Sequence, residues 1–163
     1  KLLIDRSDWR EGAADANFFR LTMDQPVGIY QVGIFTATRI ENHPEQGLLI
    51  HGQLDRRPDA PKPKTFIQWL PADAPTAEIR LYRPLFKSSN PDDAEGGFLN
   101  DLTPNSLEIV NGRIDPRIPM DVAIGTCFQF QRVGYFCVDS DSRPERLVFN
   151  LTVSIKEDPL KNN

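Results

Sequence analysis

The chain is expected to be all-β, and three observations lead there. Its 163 residues include fourteen prolines and ten glycines, which interrupt long helices and supply many turns. Apolar and polar residues alternate in several short stretches. The clearest sets Phe149, Leu151, Val153 and Ile155 against Asn150, Thr152 and Ser154. Clusters of turn-forming residues divide these stretches, as in Asp139-Ser140-Asp141-Ser142-Arg143-Pro144.

The elements follow in order. Ser7 or Asp8 is placed to cap a helix before Trp9. The Ala-rich span 11–19 suggests a helical turn, with Trp9, Phe18 and Phe19 as packing residues. Strand signals run over 21–40. Val27 and Ile29 share one parity there and Val32 and Ile34 the other, so a bend or bulge is expected near Tyr30 and Gln31. Asn42-His43-Pro44-Glu45-Gln46-Gly47 reads as a hairpin connection into a strand with Leu48, Ile50, Gly52 and Leu54 on one face. Residues 56–64 are proline-rich and charged, a loop. Strands are expected over 65–70, 77–86 and 107–110. Asn90-Pro91-Asp92-Asp93 has the order of a helix start, cap then proline then acids, and the helix is expected to reach Leu102. The segment 128–156 reads as two strands around the 139–144 turn. The first changes parity after Phe130, which suggests a bulge at Gly134 that re-aims Gln129, Gln131 and Arg132. No internal sequence repeat is apparent.

Composition narrows the function classes. The length allows one domain or two small ones. No run of about 18 apolar residues is present, so no helical membrane span is expected. The opening Lys1-Leu2-Leu3-Ile4-Asp5-Arg6 is charged too early for a signal peptide and reads as a cut from mid-protein. Cys127 and Cys137 leave two options, a disulfide or two buried free thiols, of which their apolar strand contexts favour the thiols, and with His43 and His51 they lack zinc-site spacing. Neither a nucleophilic triad nor a phosphate-cradling glycine loop is found. The acidic run Asp92-Asp93-Ala94-Glu95 is assigned to a helix N-terminus, not a metal. The net charge of −4 opposes bulk attraction to phosphate. Any RNA contact would depend on local clusters: Arg56-Arg57 with Lys62 and Lys64, or Arg80, Arg83 and Lys87. For any single one of these charges a solvated face is the simpler account.

The segment Phe128-Gln129-Phe130-Gln131-Arg132, then Gly134-Tyr135-Phe136-Cys137-Val138-Asp139, then Leu147-Val148-Phe149-Asn150 resembles the C-terminal end of glutaminyl-tRNA synthetases. Further matches follow the same order: Ile4-Asp5-Arg6, Ile67-Gln68-Trp69, Ala77-Glu78-Ile79-Arg80-Leu81-Tyr82, Phe98-Leu99 and Pro104-Asn105-Ser106-Leu107. They cover nearly the whole chain, and the wording near Asp24-Gln25-Pro26 and Ser154-Ile155-Lys156 looks eukaryotic, fungal in type. The resemblance implies two small antiparallel β-barrels with one or two short helices: a proximal one from residues 1–16 and 88–163, and a distal one from 17–87. It implies a cytoplasmic parent, a catalytic domain upstream that binds ATP, no cofactor in this chain, and the anticodon loop of glutamine tRNA as partner, with neither membrane nor DNA involved. The rivals are a non-catalytic barrel module that binds protein, and a glutamyl-specific or non-discriminating enzyme of the same branch.

The resemblance also implies site residues. Gln129 and Arg132 match a pair that reads an anticodon base. A Gln amide can both donate to and accept from a splayed uracil, and Arg adds a planar charged donor. Arg20 matches a residue that reads the guanine at the third base, whose edge suits a bidentate guanidinium. The family's arginines for the first base are missing from Val27-Gly28-Ile29-Tyr30-Gln31, so Tyr30 and Gln31 are the candidates there. The usual Arg after Val-Phe-Asn is Leu151, read here as an inward packing change.

Overall fold

The structure, a computed structural model, describes residues 1–12 and 17–155. The core of the expected 11–19 helical turn lies outside the described residues. The chain divides between Asp73 and Ala74 into two compact units.

The first unit holds β1 (Leu2–Leu3), β2 (Val27–Ile29), β3 (Gly33–His43), β4 (Gly47–Asp55), β5 (Phe66–Ile67) and β6 (Leu70–Pro71). A four-stranded sheet runs β4-β3-β2-β5, and β1 pairs with β6. Trp9, Leu21, Val27, Ile29, Ala37 and Ile67 form its buried core. The 3-10 helix before Trp9 spans Arg6–Asp8, and Asp5, rather than Ser7 or Asp8, caps it by accepting the Ser7 N–H at 2.7 Å. Trp9 is buried as expected, whereas Phe19 is exposed.

The second unit holds β7 (Thr76–Tyr82), β8 (Leu107–Arg113), β9 (Cys127–Phe130), β10 (Gly134–Val138) and β11 (Leu147–Ser154) in the order β8-β7-β11-β10-β9. Phe136 and Phe149 are fully buried. Phe130 stacks on Phe136 at 4.5 Å between ring centroids and meets Phe149 edge-on at 5.3 Å. Burying one such ring contributes roughly 1.5–3 kcal/mol, so these aromatics anchor the sheet. Leu151 packs against the same core, as its parity predicts.

The all-β class holds, with differences in detail. Most strand pairs are antiparallel, but β2–β5 and β7–β11 are parallel. Among the described residues, hydrogen bonding closes neither sheet into a complete barrel. The grouping of 1–16 with 88–163 differs from the observed division. Leu2 and Leu3 pair with Pro71 and Leu70, and Trp9 bridges to Leu21, which hold the N-terminal segment in the first unit. β7 joins the second unit through β8 and β11. The helix expected from Asn90 to Leu102 is two 3-10 turns, Pro91–Asp93 and Phe98–Asp101. Gly96 and Gly97 lie between them at φ 84° and 88°, a backbone that ends a helix, and Phe98 is exposed. Val153 is exposed too, because a bulge between Tyr135 and Phe136 shifts the β10–β11 register and turns the end of β11 outward.

Candidate nucleic-acid interface

Both mid-strand parity breaks turn out to be chain reversals. Tyr30-Gln31-Val32 joins β2 to β3, and Gln131-Arg132-Val133 joins β9 to β10. The two turns have the same construction. The Val32 N–H donates to the Ile29 carbonyl and the Val133 N–H to the Phe130 carbonyl, both at 2.9 Å. Gln31 and Arg132 occupy the left-handed region at φ 59° and 65°. A glycine follows each turn. A Cβ on Gly33 would lie 2.5 Å from the Asp55 carbonyl oxygen, and one on Gly134 would lie 2.6 Å from that of Val153. Each glycine therefore lets the third strand of its meander, β4 or β11, approach closely. Aligned on the turns, Ile29-Tyr30-Gln31-Val32-Gly33-Ile34-Phe35 and Phe130-Gln131-Arg132-Val133-Gly134-Tyr135-Phe136 share Val, Gly and Phe. The shared turn construction puts two predicted site residues, Gln31 and Arg132, at equivalent positions.

Around the second hairpin, Gln129 is exposed on the outer face of β9, and its register partner on β10 is Tyr135. Tyr135 is 44% exposed, so an aromatic ring stands beside the Gln129 amide on one open face. The sequence reading missed Tyr135; its alternation with the buried Phe136 was the available signal. In the same sheet, Arg80 pairs with Glu78 at 2.8 Å, Asp139 at 3.3 Å and Asp141 at 2.7 Å. Hydrogen bonds to Asp141 and then Glu78 push the Arg80 guanidinium further up than usual. Asp139 also accepts the Asp141 N–H at 2.8 Å and a side-chain bond from Asn150. The backbone bond from Asp141, ahead of the bond from Asn150, holds its carboxyl below the usual range. The Gly134-Tyr135-Phe136-Cys137-Val138-Asp139 run therefore carries mostly architecture: close strand approach, core and a turn anchor.

Around the first hairpin, a cavity of about 340 Å³ is lined by Gln31, Asp55, Arg56, Arg57, Lys62 and Phe66, among others. Its size suits a small ligand such as a nucleobase. Asp55 is engaged with Arg57 at 2.7 Å, whose side-chain hydrogen bonds lower the Asp55 carboxyl to about 2. No ion pair holds Arg56 or Lys62 among the described residues, which leaves these two cations facing the cavity. The sequence marks both only as members of a basic cluster. Tyr30 is exposed, and its carbonyl accepts the Trp69 indole N–H at 2.9 Å.

Arg20 sits apart from this tip. Its Nε lies 3.3 Å from buried Asp8, its Nη1 donates to Ser7, and Gln25 donates to its carbonyl at 2.7 Å. Much of its bonding is structural. Arg83 is likewise paired, with Glu108. Cys127 and Cys137 are free thiols, as expected, but Cys127 is exposed and Cys137 half-buried, because both point to the outer face rather than the core.

Residues 66–139 match the family model described as tRNA synthetases class I (E and Q), anti-codon binding domain. A probable glutamine-tRNA ligase of Caenorhabditis elegans is 39% identical over 96% of this chain, and the glutamine-tRNA ligase of Mus musculus 40% over 98%. This chain belongs to that anticodon-binding family. A glutamine-tRNA ligase of the bacterium Photobacterium profundum is 38% identical over 96% of the chain, and one of the fungus Hypocrea virens 35% over 98%. Identity therefore does not single out a fungal type. This anticodon-binding chain spans only 20% of the nematode relative, 21% of the mouse one and 29% of the bacterial one. No helix among its described residues is long and apolar enough to cross a membrane.

Proposed function

We propose that this chain reads the anticodon loop of glutamine tRNA, as the recognition part of a cytoplasmic ligase whose upstream domain uses ATP to attach glutamine. The observation that carries this reading is the pair of matching hairpin tips. Each tip holds a polar side chain in a left-handed turn, where strain is tolerated for function. Gln129 and Arg132 take the middle base, with Tyr135 as a stacking surface beside the Gln amide. Tyr30, Gln31 and the cavity edged by Arg56 and Lys62 take the first base and its phosphate. Loose reading there suits glutamine anticodons, which vary at that base. Arg20 takes the third base with the part of its guanidinium not turned to Asp8 and Ser7. A good base contact is worth about 1–3 kcal/mol, or roughly 5–150-fold in affinity, so three of them suffice for useful discrimination without bulk positive charge.

The test is steady-state kinetics of the full-length protein with Gln129→Ala and Arg132→Ala combined. The tRNA KM should rise and turnover with tRNA fall, while ATP and glutamine binding stay unchanged. Kinetics equal to those of the unaltered protein would reject the assignment.

A further inference from the structure

We propose that Cys127 and Cys137 form a reversible intrachain disulfide, a thiol modification site on the outer face of the β9–β10 hairpin. The two residues are direct partners in the antiparallel register. Val138, next along β10, donates its N–H to Thr126 and accepts from Gly125, both at 2.9 Å. Hydrogen-bonded and non-bonded pairs alternate along such a ladder, so Cys127 and Cys137 form a non-bonded pair. There the Cα atoms lie about 4.5 Å apart and the side chains are closest. A disulfide requires a Cα separation of roughly 4.4–6.8 Å, so closure needs little backbone movement. Both thiols are free, and Cys127 is exposed. Burial, and then a hydrogen bond to Cys127, push the Cys137 thiol up, and Cys127, the more exposed of the two, is the one a dissolved oxidant reaches.

The oxidant is a low-molecular-weight disulfide. The Cys127 thiolate attacks one of its sulfurs, its S–S bond breaks, and the first small thiolate leaves and takes up a proton. The Cys137 thiolate then attacks Cys127 Sγ, the mixed disulfide breaks, and the second small thiol departs with the proton from Cys137. Two protein thiols are oxidised by two electrons and one small disulfide is reduced to two thiols. The new bond ties β9 to β10 one non-bonded pair away from Gln129 and Tyr135. The site stands whether or not those residues touch RNA.

The sequence supplies a clean readout. Trypsin cuts after Arg132, between the cysteines, giving peptides 118–132 and 133–146, since Pro144 blocks cleavage after Arg143. Full-length protein would be equilibrated in glutathione buffers of increasing oxidation, quenched with N-ethylmaleimide and digested. The expected result is a linked 118–132/133–146 species that grows with the oxidised fraction and vanishes with dithiothreitol. Cys127→Ser and Cys137→Ser should each leave the remaining cysteine alkylated or singly glutathionylated. Wild-type protein in which both cysteines stay alkylated at every ratio, or carry separate glutathione adducts, would overturn the proposal.

Discussion

Arg132 holds a backbone conformation that costs an L-residue about 1 kcal/mol, at φ 65° and on an exposed tip. A glycine would relax that strain, although its freer unfolded chain offsets part of the gain. Arg132→Gly is therefore expected to change unfolding stability by less than about 1 kcal/mol while tRNA affinity drops. Denaturant unfolding beside tRNA binding by the same full-length variant separates the two effects, and a large stability loss would mean that the side chain holds the fold. Two residues on, the sign reverses. Gly134→Ala would put a methyl group 2.6 Å from the Val153 carbonyl oxygen and 2.7 Å from Leu151. It should cost about 1–3 kcal/mol, as overpacking does, and lower the unfolding midpoint of the second unit. At this scale the sequence was informative where a side chain's polarity alone decides, as for the exposure of Gln129 and Arg132. It was less so where a neighbour claims the group. Arg20 looks like any strand-edge cation until buried Asp8 is seen beside it.

Element by element, alternation located the core contacts of Leu48 and Ile50 on β4 and of Phe149 and Leu151 on β11, but it read one reversal as a bend or bulge and the other as a bulge. The cause is physical. A three-residue loop normally announces itself by Gly or Asn at its left-handed position, and here Gln31 and Arg132 stand there. Gly33 and Gly134 marked the spots, but as close-approach residues one or two positions late. The 139–146 connection was legible as a turn, though not its anchor. Asp139 ionises at lower pH folded than unfolded, because the Asp141 N–H and the Asn150 amide bind its charged form. Such a group adds stability that is complete above the ordinary Asp value of about 3.9 and is lost as pH falls through the depressed folded value. Asp139→Asn removes this charge, together with its pairing to Arg80. Denaturant midpoints measured from about pH 6 to 2 should fall more steeply for the wild type below about pH 4, and the two curves should converge in acid. Parallel curves would show that the Asp139 charge does not hold the turn.

Across the whole molecule the question is how a chain of net charge −4 holds an RNA. Several of its arginines are held in internal ion pairs: Arg57 on Asp55, Arg80 on Glu78, Asp139 and Asp141, and Arg83 on Glu108. With acidic residues in excess over basic ones, affinity should rest on base contacts more than on counterion release. The two contributions respond differently to salt. Each phosphate neutralised on a single strand adds about 0.7 to the slope of log affinity against log salt, whereas a base contact adds affinity with no slope of its own. Arg56→Ala and Lys62→Ala, at the edge of the first-unit cavity, should therefore each flatten the slope of tRNA binding by the full-length protein by about 0.7. Arg132→Ala, whose planar group is assigned to a base, should lower affinity by a similar factor at every salt concentration. The comparison between variants cancels whatever the rest of the protein contributes. A slope change in Arg132→Ala would move that residue to the phosphate backbone and leave Gln129 with Tyr135 as the base-reading pair of the second hairpin.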